Sequence, residues 1–246
     1  MNLYNIAIFG APRSGTTWLG QLFNSSPNTL YRYQPLFSYE FKDYLNSKNN
    51  KSDIMDFYKK LIVAKSQFVQ TNIKFPKQDI THLVWKEVRY HHITPNLLQN
   101  SNTKIIYIER NPVDVINSWF NAPKEFNSKW DIQKEWLDAP SKNLNKPEEF
   151  NGFNKWLEVK NIHTKNFHNF PDRVIKVKYE NLKLNPIKEL KKLYKFCNLN
   201  WGKQVENFIL ESTTKHEEDS YSVFKKQTQK LNLPFNIIDK INKFYK

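Results

Sequence analysis

The stretch GAPRSGTTW at positions 10–18 has the residue types and the spacing of a loop that binds phosphate-like anions. It follows a short apolar run, and Gly10 and Gly15 have the G-x-x-x-x-G spacing of a P-loop. Backbone N–H groups at such a turn between strand and helix point at an anion, and the positive end of the helix dipole adds to the attraction. Hydroxyl donors stand at Ser14, Thr16 and Thr17.

The cation of this loop is not in its usual place. Thr16 occupies the position of the lysine that reaches the terminal phosphates of ATP or GTP, and the nearest cation is Arg13, inside the loop. None of the predicted strands ends in an apolar run followed by the aspartate that completes a Mg²⁺ site in P-loop NTPases. The pattern therefore favours an anion bound without a metal, and a P-loop nucleotide kinase or NTPase is the alternative.

A second anion site is predicted in ERNPVDVINSWF, positions 109–120. Arg110 ends a predicted strand, and the Asn-Pro pair after it is a favoured helix start. Ser118 lies nearly two turns into that helix, with Arg110 at its mouth. Taken alone, the stretch also permits an ion pair between Arg110 and Asp114. Two anion sites on neighbouring strand ends together indicate a nucleotide with phosphates at two places.

Five short apolar, β-branched or aromatic runs predict the strands that would position these sites, at 5–10, 28–35, 82–88, 104–110 and 173–180. Stretches with helical periodicity lie between most of them. The alternation predicts an α/β, P-loop-containing fold in which a central, mostly parallel sheet of about five strands is flanked by helices. Ligands of such sheets bind beyond the carboxyl ends of the strands, where Arg13, Lys86 and Arg110 fall.

The segment 120–160 interrupts this alternation with three prolines and three tryptophans. Because long ordered insertions are often functional, we interpret it as a lid or acceptor-binding wall within one domain of residues 1–246. The alternative is a surface excursion whose aromatic side chains pack on the core. The tail from 231 to 246 is predicted to be a helix that docks by one face.

The formal net charge of +14 favours an anionic partner. The lysines are spread along the chain and no nucleic-acid recognition motif accompanies them, so a small anionic ligand is favoured over nucleic acid. The single cysteine, Cys197, excludes an intramolecular disulfide and fits a reducing compartment. Since no apolar run approaches the roughly 18 residues of a membrane span and the first strand leaves no room for a signal peptide, a cytoplasmic protein is expected.

Three blocks, in this order, resemble the PAPS-dependent sulfotransferases. APRSGTTWLGQLFNSSPN resembles their 5′-phosphosulfate loop, IIYIERNPVDVINSW their 3′-phosphate motif, and VIKVKYENLKLNP their third block. Together the blocks frame residues 5–190. The resemblance implies transfer of the sulfuryl group of PAPS, 3′-phosphoadenosine 5′-phosphosulfate, to an acceptor hydroxyl without a metal. The first block and the YxP region look closer to the carbohydrate-directed branch, which implies a saccharide or glycolipid acceptor.

The resemblance also assigns roles to residues. Trp18 would contact the adenine ring and Tyr179 would lie beside the adenosine, while Arg13 would stabilise the leaving phosphate. The residues implied to bind PAPS are Arg13, Ser14, Gly15, Thr16, Thr17, Trp18, Arg110, Ser118, Tyr179 and Lys226. Lys226 would act together with Lys225 in place of a basic segment that members of the family have. Lys86 would lie near the transferred group; a pair with Glu87, or an edge position, is its alternative.

The general base is where the sequence departs from the family pattern. Gln34 stands where carbohydrate- and tyrosine-directed members often have a glutamate, and an amide does not accept a proton at neutral pH. The remaining candidates are Glu87, Glu40 and His91, with His92 beside it. A PAPS- or polyanion-binding pseudoenzyme is therefore a further alternative.

Overall fold

One parallel sheet forms the centre of this computed structural model, which describes residues 3–71, 73–217, 222–224 and 230–245. Its strands in that part of the chain are β1 (Tyr4–Phe9), β2 (Thr29–Tyr33), β3 (His82–Glu87), β4 (Lys104–Glu109) and β5 (Val174–Lys178). Their order is β2-β3-β1-β4-β5, and all neighbours are parallel. The predicted α/β fold with a five-stranded parallel sheet is confirmed.

Helices follow or connect the strands. They are α1 (Thr16–Asn24), α2 (Lys51–Ile62), α3 (Gln67–Gln70), α4 (Thr94–Asn100), α5 (Pro112–Phe120), α6 (Ile132–Glu135), α7 (Pro140–Asn143), α8 (Phe153–Asn169), α9 (Tyr179–Leu184), α10 (Pro186–Cys197), α11 (Lys203–Thr214) and α12 (Phe235–Tyr245). Short 3₁₀ turns cover Pro35–Phe37 and His91–Ile93. Of the helices in the described residues, none combines the length and the apolar composition that crossing a membrane requires.

Both faces of the sheet are covered, which explains the nearly continuous apolar runs of its central strands. Ile8 and Ile106 belong to a core that α1, α10 and α11 close on one face. Phe9 and Trp85 belong to the core of the other face, which α2 and α4 close. Because successive side chains of a strand alternate between faces, neighbouring residues on β3 serve different cores.

The strand order brings four chain segments to one edge of the sheet. The loop at 10–15 follows the central strand β1, whose neighbours are β3 on one side and β4 on the other. Lys86 lies near the end of β3, Arg110 follows β4 and Tyr179 follows β5. All four meet at the carboxyl edge, where open α/β sheets bind their ligands.

The segment 120–160 folds into the short helices α6 and α7 and the first part of α8. Trp136 and Trp156 are buried in a third core cluster, which also includes Ile237 and Ile241 of α12. Trp136 and Trp156 of the segment thus pack on the core, and the tail helix α12 docks on the same cluster by the face that carries Ile237 and Ile241. Glu149 pairs with Arg89 at 2.8 Å, which fixes the segment to the chain after β3.

Candidate functional site

The loop between β1 and α1 has the backbone of an anion site. Gly15, the N-cap of α1, has a φ of 90°, and Arg13 has a φ of 68°, so both adopt left-handed conformations. Gly15 has no side chain to cap the first turn of α1, and the N–H groups of that turn face the loop. The Ser14 hydroxyl is fully buried and, within the described residues, has no hydrogen-bond partner. The loop therefore contains hydrogen-bond donors that an anion could accept from.

The second predicted anion site lies against this loop. Asn111 Oδ1 accepts a hydrogen bond from the Val113 N–H at 2.9 Å and caps α5, as the sequence predicts. Arg110 Nη1 donates to the Arg13 carbonyl oxygen at 3.0 Å, and the guanidinium lies 4.7 Å from the centre of the Tyr179 ring. Arg110 Nε is buried without a partner among the described residues, and the alternative ion pair with Asp114 does not form.

Arg13 connects the two sites through its side chain. Its Nε donates to Ser118 Oγ at 3.2 Å, so the serine of the second motif contacts the cation of the first. Its Nη1 also forms an ion pair with Glu125 Oε1 at 3.0 Å. The Glu125 backbone is held in place, because its N–H donates to the Ala122 carbonyl and its carbonyl accepts from Trp119 Nε1.

Lys86 enters the same region from β3. Its side chain is buried, and its Nζ lies 4.2 Å from the centre of the Tyr33 ring. Burial lowers the pKa of Lys86 to about 7, although the Glu87 and Glu125 carboxylates act in the opposite direction. Burial raises the pKa of Tyr33, and a hydrogen bond with the Thr17 side chain partly offsets this. Lys86 and Thr17 are therefore linked through one ring.

Both alternative interpretations of Lys86 are wrong. β3 lies between β2 and β1 in the sheet, with Lys86 opposite Tyr33 on one side and Ile8 on the other, so the position is not at an edge. Lys86 and Glu87 are adjacent on a strand and point to opposite faces, and the described residues contain no ion pair between them. Lys86 points to the face of the sheet that carries the loop, and Glu87 points to the opposite face, which α2 and α4 cover.

Glu87 is buried beneath the sheet surface next to Lys86 on β3. It is fully buried, and neither carboxyl oxygen has a hydrogen-bond partner in the described part of the chain. Burial raises the pKa of Glu87 to about 8, since the charged form loses its hydration. Because Glu87 points to the face of the sheet opposite Lys86, the structure does not place it where it could act as a base on the loop side.

The other predicted bases are engaged elsewhere. Both Glu40 oxygens accept backbone hydrogen bonds, from the N–H groups of Lys65 and Ser66, ahead of α3. The two ring nitrogens of His91 contact His163 Nε2 at 2.9 Å and the Val88 carbonyl at 3.2 Å. Burial lowers the pKa of His91 to about 3.

Gln34 and His92 complete the account of the base region. Gln34 directly follows β2 with a φ of 40°, and its backbone N–H donates to the Lys86 carbonyl at 3.0 Å. The amide thus stands at the loop edge of the sheet, where the family pattern has its glutamate. Burial lowers the pKa of His92, which is half-buried in the 3₁₀ turn after β3.

Aromatic rings border the loop on the side of α9 and α11. A Cβ added to Gly15 would come within 2.5 Å of Tyr179 Cδ2, so this ring lies directly on the loop backbone. Trp18 meets Tyr179 edge to face at 6.1 Å and donates from Nε1 to Ser212 Oγ at 3.1 Å. Lys225 and Lys226 lie outside the described residues.

A family model for the sulfotransferase domain matches residues 4–243, nearly the whole chain. The chain belongs to the sulfotransferase domain family. This confirms the family indicated by the three sequence blocks. In this sulfotransferase domain the first two blocks meet through Arg13, and the third contributes Tyr179.

Two curated plant relatives match this sulfotransferase domain at low identity. Cytosolic sulfotransferase 14 of Arabidopsis thaliana is 24% identical over 206 residues, covering 82% of the chain and 56% of the relative. Cytosolic sulfotransferase 17 of the same plant is 25% identical over 207 residues, covering 79% and 52%. The chain spans about half the length of these relatives.

Solved structures share the fold. A sulfotransferase from Alicyclobacillus acidocaldarius matches with a TM-score of 0.59 and 12% identity, over 100% of this chain and 92% of that one. Mouse sulfotransferase SULT7A1, complexed with PAP, matches with a TM-score of 0.51 and 17% identity, over 86% and 65%. The sulfotransferase domain of the curacin biosynthetic pathway matches with a TM-score of 0.51 and 19% identity, over 83% and 77%. At these identities the likeness concerns the fold alone.

Two side chains in the site of this sulfotransferase domain carry no sequence signal of their own. Glu125 lies in the segment between α5 and α6, 112 positions from the arginine with which it pairs. In the sequence Tyr33 is only one residue of an aromatic strand, yet in the structure its ring contacts Lys86 and its side chain is hydrogen-bonded to Thr17. No local spacing connects these residues to the loop, and only the sheet order brings them together.

Proposed function

We propose that this chain is a PAPS-dependent sulfotransferase that transfers a sulfuryl group to an acceptor hydroxyl. The observation that carries the proposal is the contact between the two anion motifs. Arg13 of the loop donates to Ser118 of the second motif, and Arg110 of the second motif donates to the Arg13 carbonyl. One nucleotide with phosphates at both its 5′ and 3′ positions would engage both motifs.

The donor chemistry of the site fits such a nucleotide. Ser14 Oγ and Arg110 Nε are buried donors, one in each motif, without a partner among the described residues. Leaving a buried donor unpaired is costly, and phosphate oxygens are strong acceptors for hydroxyl and guanidinium groups. The mouse sulfotransferase that shares the fold was solved with PAP, the desulfated form of PAPS, which supports the same ligand class here.

Each part of the site has a proposed task. When bound, PAPS supplies the sulfuryl group and a phosphate as leaving group. The loop, from Ser14 to Thr17, would bind the 5′ end through backbone N–H groups and hydroxyls. Arg110 and Ser118 would bind the 3′-phosphate, and Trp18 and Tyr179 would bind the adenosine.

Arg13 and Lys86 would stabilise charge during the transfer. Arg13 lies within the loop, where a guanidinium can neutralise the negative charge that develops on the leaving phosphate. Lys86 is buried on the loop side of β3, next to the ring that contacts Thr17, and would stabilise the moving sulfuryl group. Because an adjacent anion favours the charged form of an amine, a bound anion would raise the pKa of Lys86 above its value of about 7.

We propose a saccharide or glycolipid hydroxyl as the acceptor, within a single domain whose segment 120–160 forms one wall of the acceptor site. A row of rings leads from Lys86 to the surface: Tyr33 meets Phe68 at 5.2 Å, and Phe68 meets Phe37 at 5.8 Å. Arg89, which pairs with Glu149 of that segment, lies 4.0 Å from the Phe37 ring. Apolar rings with a cation at their edge suit an amphiphilic or anionic acceptor. The proposal also includes a cytoplasmic location for the protein.

Gln34 favours a second candidate, a PAPS-binding pseudoenzyme. It stands at the loop edge beside Lys86 and cannot take a proton from an acceptor. This candidate keeps the nucleotide site and lacks the transfer. The nucleotide kinase alternative is less favoured. Thr17 occupies the position of the hydroxyl that binds Mg²⁺ in a P-loop NTPase, and its side chain is instead hydrogen-bonded to Tyr33.

Calorimetric titration with the isomers 3′,5′-ADP and ADP tests the nucleotide site. Both isomers carry two phosphates, and only the first places them at separate positions on the ribose. We expect 3′,5′-ADP to bind at least about tenfold more tightly, equivalent to roughly 1.4 kcal/mol. Equal affinities would contradict the two-site arrangement.

A further inference from the structure

We propose that Glu125 is the general base of the transfer, and that it becomes available when the 5′ group of the nucleotide replaces it as the partner of Arg13. The proposal rests on the proposed sulfotransferase function. It supplies the base that the sequence does not reveal, from a residue of the segment between α5 and α6.

The position of Glu125 is the first support. Its carboxylate lies 3.0 Å from Arg13 Nη1, while Nε of the same guanidinium contacts Ser118 at 3.2 Å. The Glu125 charge also acts on Lys86 and on Tyr33, the two side chains that lead from the loop to the row of exposed rings. Glu125 is thus a carboxylate shared by the leaving-group side and the acceptor side of the site.

The state of the other candidates is the second support. Glu87 is buried on the opposite face, Glu40 is held by two backbone N–H groups, and both ring nitrogens of His91 are engaged. The Glu125 side chain keeps 27% of its surface accessible and pairs with Arg13 of the loop, whereas the exposed Glu40 is bound to the chain ahead of α3. Among the candidate bases, Glu125 therefore combines an ionisable group, access to a ligand and a place at the loop.

The third support is the nature of the Arg13–Glu125 pair. Partly exposed ion pairs contribute little net stability, whereas a phosphate offers a guanidinium several strong acceptor oxygens. An anion bound at the loop would compete for Arg13 and repel the Glu125 carboxylate. The backbone contacts of Glu125 to Ala122 and Trp119 keep the released carboxylate at the mouth of the site.

The released carboxylate has a defined task. The acceptor oxygen forms a bond to sulfur as the bond between sulfur and the bridging phosphate oxygen breaks. The acceptor proton passes to Glu125, and the leaving phosphate keeps the electron pair of the broken bond beside Arg13. The products are the sulfated acceptor, 3′,5′-ADP and a protonated Glu125, which returns the proton to solvent.

Nucleotide binding tests the exchange without any turnover. In Glu125→Gln the nucleotide no longer displaces a carboxylate, so we expect 3′,5′-ADP to bind about fivefold more tightly by calorimetry. The matched control is Glu158→Gln, which removes the same charge from a surface pair with Lys155 on α8 and should leave the affinity unchanged. Unchanged or weaker binding in Glu125→Gln alone would overturn the exchange.

Transfer from [³⁵S]PAPS to two phenols tests the base. In mildly alkaline buffer 4-nitrophenol is ionised and needs no base, whereas 2-naphthol keeps its proton. We expect Glu125→Gln to lose about a hundredfold or more with 2-naphthol and far less with 4-nitrophenol. An equal loss with both acceptors, or no loss with either, would overturn the base role.

Hydrolysis of [³⁵S]PAPS by water is the readout if neither phenol is sulfated, because water also needs a base. A fall in hydrolysis in Glu125→Gln, with Glu158→Gln unchanged, supports the proposal, and equal rates overturn it. If the wild type binds 3′,5′-ADP but neither transfers nor hydrolyses, the proposed function fails, and a base role fails with it. Transfer by the wild type with a fully active Glu125→Gln would overturn the base proposal alone.

Discussion

The ring of Tyr179 lies directly on the backbone of Gly15, so closely that a Cβ at this glycine would come within 2.5 Å of Tyr179 Cδ2. Gly15 also has a φ of 90°, a backbone conformation that residues other than glycine rarely adopt. Two independent constraints thus meet at one residue of the anion loop. The third sequence block is in this way packed onto the first.

We expect Gly15→Ala to lower the free energy of unfolding by about 1–3 kcal/mol and to weaken 3′,5′-ADP binding strongly, since both the backbone and the Tyr179 ring must shift. Gly202→Ala is the matched control, because a Cβ there meets no atom of the described residues within 4 Å. Thermal unfolding and calorimetry measure the two effects. A Gly15→Ala protein with wild-type stability and affinity would contradict the packing of Tyr179 on the loop.

Arg110→Ala should remove the preference for a 3′-phosphate. Losing a charge-assisted hydrogen bond costs about 2 kcal/mol, or roughly thirtyfold in Kd, for 3′,5′-ADP. Binding of 5′-AMP should change little, since it lacks the 3′-phosphate that Arg110 would bind. Lys176→Ala removes the same charge at an exposed position of β5 and serves as the control. If Arg110→Ala weakened both nucleotides equally, Arg110 would not bind the 3′-phosphate.

Lys86→Met should make the protein more stable and less active. The pKa of Lys86 is about 7 in the folded protein and near 10.4 in an unfolded chain, so the unfolded state holds more protons between these pH values. Stability attributable to Lys86 therefore rises with pH from about 7 to about 10. Thermal unfolding at several pH values should show this slope flattened in Lys86→Met, with a gain of roughly 2–4 kcal/mol at pH 7. An unchanged slope would contradict the burial of the amine.

Glu87 should give the wild-type protein a pH dependence of stability opposite to that of Lys86, and Glu87→Gln should remove it. The Glu87 pKa is about 8 in the folded protein and near 4.3 when unfolded, so the folded state holds more protons between these values. The contribution of Glu87 to stability therefore falls as the pH rises from about 4 to about 8. We expect Glu87→Gln to remove this fall and to retain sulfuryl transfer. A large loss of transfer, with stability intact, would return Glu87 to the list of bases.

The strands could be predicted closely because a parallel sheet covered on both faces requires nearly continuous apolar runs. The runs at 82–88 and 104–110 agree with His82–Glu87 and Lys104–Glu109 to within one residue at each end. The anion loop was predictable for a similar reason. Its glycines, hydroxyls and cation are contiguous, so local spacing contains the whole motif.

The environment of the base candidates could not be predicted, because it depends on contacts between distant positions. His91 is neutralised by burial against His163, 72 positions away. Glu40 is held by backbone N–H groups 25 and 26 positions away. Glu125 reaches Arg13 from 112 positions away, from the segment that follows α5. The sequence shows which residues carry a carboxylate, but whether each one is buried, hydrogen-bonded or accessible depends on the fold.

The proposed function depends on the transfer of the sulfuryl group of PAPS by this chain. The most direct measurement follows ³⁵S from [³⁵S]PAPS into a panel of saccharides, glycolipids and simple phenols, with Arg13→Ala as the matched inactive variant. We predict labelled acceptor and stoichiometric 3′,5′-ADP with the wild type, and a loss of about a hundredfold or more in Arg13→Ala. Tight 3′,5′-ADP binding with no labelled acceptor across the panel would contradict sulfuryl transfer by this chain and favour the PAPS-binding pseudoenzyme.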